Sequence, residues 1–228
     1  MSTPSSPASL RRNSEEDDVS SPQAIHFEHP RLIDEEDQVR ADYFALLANL
    51  FYRAADERLL QAIMISPEPA ADNEPALADA WVALAAASGV VTADALNGEL
   101  EILFVGVGRA QVMLYGSYYQ AGFLNEKPLA ELRTDLARMG FSRDGAVRET
   151  EDHLAALCDV MRAMIAGDVA NAPATIDEQR RFFTKHLQSW VLQCCDATIN
   201  NENSNYYRRV AAFAKVFFQI EIQAFEMQ

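Results

Sequence analysis

From Asp34 onward, apolar residues recur every three or four positions, the spacing that lines one face of an α-helix. Val39, Tyr43, Leu46, Leu47, Leu50 and Phe51 form the first series. Asp34 stands ahead of it as a cap for free helix N–H groups. Asp56 opens a shorter series through Leu59, Leu60 and Ile63. Ser66 to Pro75 reads as a connector, Pro75 fits a first helical position, and Gly89 ends the helix that follows. Thr92 caps the next series, with Leu96, Leu100 and Leu103 on one face. The pattern returns at Pro128 with Leu129, Leu132 and Leu136, and stops at Gly140. Leu154, Leu157, Met161 and Ile165 mark a further helix ending at Gly167. Thr175 and Glu178 have capping-box spacing, and one helix is expected to run from Ile176 through Phe183, Leu187 and Trp190 to Cys194. Tyr206, Val210, Phe213, Phe217 and Ile220 mark the last. Strand-like alternation is absent. The expected fold is an all-α helical bundle of roughly eight or nine helices.

One stretch breaks the pattern. Residues 105 to about 120 hold Gly106 and Gly108 and are the least helix-like part of the expected domain. They are nevertheless apolar and aromatic, with Val112, Met113, Leu114, Tyr115, Tyr118 and Tyr119. Such a segment packs on the domain or lines a groove. Its tyrosines admit two readings: core residues, or contacts to a peptide, since tyrosine joins apolar area to one polar end.

Residues 1–31 are rich in Ser, Pro and acids. They hold too little apolar surface to offset ordering entropy, so a disordered tail is expected ahead of a domain at 32–228. The Arg11-Arg12 pair is followed by acids rather than an apolar run, so it does not read as an export signal of this chain. No uninterrupted apolar stretch reaches membrane-spanning length. The net charge is −15, which disfavours nucleic acid and anionic lipid and favours basic partners. Three cysteines, Cys158, Cys194 and Cys195, have no zinc-binding or disulfide spacing. A reducing cytoplasm is the expected compartment.

"RETEDHLAALCDVM", Arg148 to Met161, carries the densest chemistry. Read locally, Glu149, Glu151 and Asp152 fall in the first turn of the helix at Leu154–Ile165, where acids offset the positive helix end. That reading leaves His153 without a reason. A metal reading uses Glu149 and His153, four apart on one helix face, and lacks further ligands. A nucleophile reading joins His153 to Ser117, Cys158 or Cys194, with no nucleophile elbow in the sequence.

Four stretches together resemble the TorD/DmsD family of redox-enzyme maturation chaperones, which is itself similar to the NarJ-type chaperones. They are "ELEILFVGVG" (Glu99–Gly108), "LYGSYY" (Leu114–Tyr119), "ETEDH" (Glu149–His153), and "FFTKHLQSWVLQCC" followed by "NYYRRVAAFAKVF". The likeness spans roughly Asp37 to Gln223. It departs from the family where Leu114 and Thr150 replace prolines that shape backbone.

The resemblance implies a cytoplasmic, non-enzymatic chaperone with no cofactor or metal of its own. Such a protein binds the twin-arginine signal peptide and the body of a molybdenum-containing oxidoreductase and supports cofactor loading before export. Formate dehydrogenase and reductases of the DMSO/TMAO type are the candidate clients. By carry-over the peptide-binding residues are Leu103, Phe104, Tyr115, Ser117, Tyr119, Glu149, Asp152 and His153. The implied assembly is a monomer or a helix-swapped dimer, with "NAPAT" (Asn171–Thr175) as the hinge. The alternative is a helical metal-dependent hydrolase centred on His153.

Overall fold

Each helix start has a local chemical cause. In the computed structural model, which describes residues 33–67, 74–106, 110–124, 126–142, 149–167 and 172–227, Asp34 accepts from Asp37 N–H at 2.8 Å and opens α1 (Glu35–Tyr52). Asp56 does the same for α2 (Glu57–Ile65), accepting from Leu59 N–H at 2.8 Å. Pro75 is the first residue of α3 (Pro75–Ser88), where its missing N–H costs nothing. Thr92 caps α4 (Ala93–Leu100). The expected tail at 1–31 lies outside the described residues, as do residues 168–171, which include the start of the "NAPAT" segment.

The chain departs from the expected pattern at four places. First, α4 widens into a π-helical turn, Glu101–Val105, whose end is tied by Gly106 N–H donating to Glu101 C=O at 2.6 Å. Second, the aromatic stretch is non-helical only at first. A short helix, α5 (Gly116–Ala121), forms within it, followed by α6 (Lys127–Arg138). Third, α7 (Leu154–Ala166) starts later than the acids suggest: His153 is its cap, so Glu149, Glu151 and Asp152 precede the helix. Fourth, the expected continuous helix 176–194 divides into α8 (Ile176–Phe183), a π-helical turn (Thr184–Gln188) and α9 (Val191–Ile199). With α10 (Tyr206–Glu226) the described residues form ten α-helices, one or two more than the periodicity resolves.

Gly140 shows how glycine ends a helix here. It adopts φ 83°, and the N–H groups of Phe141 and Gly140 donate back to Leu136 and Ala137 carbonyls at 2.9 and 3.2 Å. This is the Schellman pattern, which places the residue after the cap in the left-handed region that favours glycine.

The core follows from which faces meet. Helix α1 packs along α7, α10 against α9 and α3, α2 against α3, and α5 against α6. Phe44, Leu47 and Leu50 of α1 and Phe213, Phe217 and Phe218 of α10 are almost fully buried. Tyr43 meets Phe213 edge-on at 5.2 Å, and Phe44 meets Phe217 at 4.9 Å, arrangements that aromatic quadrupoles favour. Arg40 on α1 donates to both oxygens of buried Glu221 on α10, at 2.8 Å each. A long-range cap holds the other end of α10: Glu99 accepts from the N–H groups of Asn205, Tyr206 and Tyr207 at 2.7, 3.0 and 2.8 Å.

Candidate functional site: a loop junction joining the aromatic and acid–histidine motifs

Two segments some 35 residues apart in sequence meet at one small antiparallel bridge, Tyr115 with His153. Gly116 N–H donates to Asp152 C=O at 2.9 Å, and Leu154 N–H donates to Leu114 C=O at 2.7 Å. The Asp152 side chain adds a third tie, its Oδ2 accepting from Ser117 N–H at 2.9 Å. Its other oxygen accepts from Thr150 Oγ at 2.6 Å. Asp152 is 3 % exposed. Both oxygens therefore serve the chain's own backbone and a neighbouring hydroxyl.

The acids before α7 are thus divided by role. Asp152 braces the junction. Glu149 receives a hydrogen bond from the Tyr115 hydroxyl. Glu151 pairs with Arg133 of α6, N–O 2.9 Å. None lies inside the helix, so Glu149 and His153 do not share a helix face. The pattern of acids before an apolar ladder suits a first turn. What moves the start is tertiary: the backbone of 152–154 is drawn into pairing with 114–117, and His153 takes the cap.

His153 caps α7 through Nδ1, which accepts from Ala155 N–H at 3.2 Å. Only a neutral ring can accept, and burial holds this imidazole at a pKa of about 4, against the upward pull of Glu149 and Asp152. Its ring meets Tyr115 edge-on at 5.0 Å. No positive charge therefore opposes the helix dipole here at neutral pH. Burial raises the Tyr115 phenol above its ordinary range, reinforced by the Glu149 carboxylate, so the hydroxyl remains a donor.

Tyr119 reaches the same junction from α5. It stacks on Trp190, with centroids 5.4 Å apart and planes 16° from parallel. A Cβ at Gly116 would lie 3.0 Å from Trp190 Nε1, so glycine admits the indole here. Trp190 Nε1 donates to His186 C=O at 2.7 Å, anchoring the ring to the second π-helical turn.

The eight sequence-derived residues separate by depth. Leu103, Ser117, Asp152 and His153 are buried. Phe104, Tyr115, Tyr119 and Glu149 are half-buried and retain open surface. Leu103 C=O accepts from Val112 N–H at 2.9 Å, tying the first π-helical turn to the segment that leads into the junction. Phe104 turns toward Phe51 and Tyr207, at 6.1 and 5.0 Å between ring centroids. Ser117 Oγ is buried without a partner among the described residues.

Three contributors escape local reading. Gly116 and Trp190 matter through a contact between residues 74 apart in sequence. Glu99 stands inside a quoted motif, but its capping of α10 depends on residues 205–207. No periodicity announces either.

Cys158, Cys194 and Cys195 are free and buried. Burial pushes the Cys194 thiol up to about 12 and raises the other two, so none is an activated nucleophile at neutral pH. Among the described residues no three His, Cys, Asp or Glu side chains converge as metal ligands. Among the described residues the hydrolase alternative therefore gains no ligand set around His153. Among the described residues no single helix is long and apolar enough to cross a membrane.

Fold and site together define an all-helical scaffold organised around an aromatic loop junction and braced by an acid–histidine turn. The family model described as nitrate reductase delta subunit matches residues 70–196, more than half of the 228-residue chain. The chain belongs to this family, that of TorD and NarJ. The matched range contains both halves of the junction. Curated relatives include chaperone protein TorD from two strains of Vibrio cholerae serotype O1, El Tor Inaba N16961 and Classical Ogawa 395. Each is 28 % identical over 123 residues, covering 51 % of this chain and 56 % of the relative. The match thus spans about half the length of these relatives. A solved structure from Archaeoglobus fulgidus, described as a redox enzyme maturation protein, has the same fold. Its TM-score is 0.53 at 17 % identity, covering 79 % of this chain and 93 % of that one.

Proposed function

We propose that the chain is a cytoplasmic, non-catalytic chaperone for the maturation of a redox enzyme. Its ligand is the twin-arginine signal peptide of a molybdenum-containing oxidoreductase, held before export. The observation that carries this reading is the junction itself. A half-buried tyrosine and a half-buried glutamate, Tyr115 and Glu149, are fixed side by side on a surface backed by stacked Tyr119 and Trp190. Apolar aromatic area suits the hydrophobic part of such a peptide, and a carboxylate suits its guanidinium groups.

The two depths imply two tasks. Leu103, Ser117, Asp152 and His153 hold the junction in shape. Phe104, Tyr115, Tyr119 and Glu149 present the contact area. Glu149 keeps acceptor capacity beyond the bond from Tyr115, since a carboxylate has two oxygens and several lone-pair sites. The net charge of −15 favours encounter with a basic leader.

The test is calorimetry with synthetic twin-arginine signal peptides, unmodified and with both arginines replaced by glutamine. Binding that weakens on replacement supports the reading. Absence of binding to peptides from formate dehydrogenase and from DMSO- and TMAO-type reductases, or indifference to replacement, contradicts it.

A further inference from the structure

A concavity lies away from the bridge between Tyr115 and His153. It is bounded by α6, the end of α7, residues 172–174, α8 and the second π-helical turn, and its volume is about 860 Å³. That size is typical of ligand-binding clefts. Met139, Phe141, Met164 and Phe182 give it an apolar floor. Two of the four are methionines, flexible side chains that adapt to varied apolar partners.

Its charges differ in sign from those of the chain as a whole. Arg138, Arg181 and Lys185 face it, against Asp135 and Glu178. Both acids are already engaged. Asp135 is approached by Lys185 Nζ at 2.6 Å, His186 Nε2 at 2.9 Å and Arg138 Nη1 at 3.0 Å. Glu178 accepts from the N–H and the hydroxyl of Thr175 at 2.9 and 2.8 Å, completing the box that starts α8. The described lining thus holds three cations to two acids, with Lys185 and Arg138 sharing Asp135 and Arg181 exposed at the rim near Glu178, in a chain of net charge −15. The π-helical turn supports this arrangement by directing consecutive residues, Lys185 and His186, at the same oxygen of Asp135. Such turns recur at functional sites.

We propose that this cleft docks an acidic, apolar-flanked peptide segment of a partner protein. Its carboxylate meets Arg181, and its apolar side chains cover Met139, Phe141 and Met164. This chemistry is opposite to that of the basic leader assigned to the loop junction, so the two surfaces take different ligands. They are joined through Trp190, which donates to His186 C=O on one side and stacks on Tyr119 on the other.

The test uses the full chain and a short fluorescein-labelled peptide of alternating Leu, Phe and Glu, with Gln and Lys replacing Glu in two control peptides. Anisotropy is read at low and high salt. The Glu peptide is expected to bind most tightly and to weaken at high salt. Arg181→Glu is expected to weaken it by about two- to fivefold, the scale of one partly exposed ion pair. Arg181→Lys is expected to retain most of the binding, and Tyr115→Ala to leave it unchanged. Equal binding of the three peptides overturns the proposal, as does no binding of the Glu peptide. Loss with Tyr115→Ala but not with Arg181→Glu overturns it too, by moving the peptide to the loop junction.

Discussion

The Asp152 carboxylate accepts from the Ser117 backbone N–H at 2.9 Å and so ties the turn before α7 to the start of α5. Both residues are buried. The pairing makes one surface out of two motifs that are separate in sequence. It also determines how Asp152 acts, because a carboxylate occupied on both oxygens is a brace before it is a partner for an incoming guanidinium.

Asp152→Ala leaves the Ser117 N–H buried without an acceptor, which costs about 1–3 kcal/mol. Thermal unfolding is expected to show a drop of roughly 2–4 °C per kcal/mol for a chain of this size. Asp152→Asn retains an oxygen for Ser117 and is expected to cost less. If Asp152 acts through the brace, any loss of peptide affinity in Asp152→Asn is similar at low and high salt, because no exposed charge attraction has been removed.

Gly116→Ala places a methyl group 3.0 Å from Trp190 Nε1 and 3.2 Å from Cε2. Overpacking of this kind costs about 1–3 kcal/mol. The expected result is a lower denaturant midpoint with an unchanged slope. Trp190→Ala, which empties the site of a side chain 1 % exposed, is expected to cost about 3–5 kcal/mol.

Glu99→Gln weakens the acceptor for three amides at the start of α10. A lost cap of this type costs about 0.5–2 kcal/mol. Hydrogen exchange is the sensitive measurement: the amides of Tyr206 and Tyr207 should lose protection, while those in the middle of α10 keep theirs.

Acid should weaken the fold through His153. Its folded-state pKa of about 4 lies below the ordinary 6.5 because burial disfavours the charged ring. Between those values the unfolded chain binds more protons, so stability is fully present above about pH 6.5 and falls as pH drops toward 4, by up to about 1.4 kcal/mol per pH unit. Burial lowers His186 too, in spite of Asp135. His153→Asn should therefore flatten part of the acid slope and not all of it.

Much of this architecture is legible in the sequence. The caps at Asp34, Asp56, Thr92 and Thr175, and the stops at Gly89, Gly140 and Gly167, are local chemistry, and each acts at its expected place. Acids before an apolar ladder look alike inside and outside a first turn, so the sequence places Glu149, Glu151 and Asp152 within α7 although they precede it. Only pairing with residues 114–117 separates the two cases. The division of the helix after Phe183 was also hidden, since a π-helical turn inserts a residue without interrupting the apolar spacing. The motifs placed Tyr115, Ser117, Asp152 and His153 in one functional group. Their contacts, and the contribution of Gly116 and Trp190, arise from tertiary packing that spacing does not encode.

In the proposed function, Tyr115 and Glu149 present a surface for an arginine-bearing leader. A double-mutant cycle measured by calorimetry addresses it directly, pairing the wild-type chain and Glu149→Gln with a twin-arginine peptide and its double-glutamine counterpart. The two changes are expected to be coupled by on the order of 1 kcal/mol, with the arginine peptide losing affinity in Glu149→Gln and the glutamine peptide nearly indifferent to it. Strictly additive losses, or equal binding of both peptides to both proteins, would contradict it.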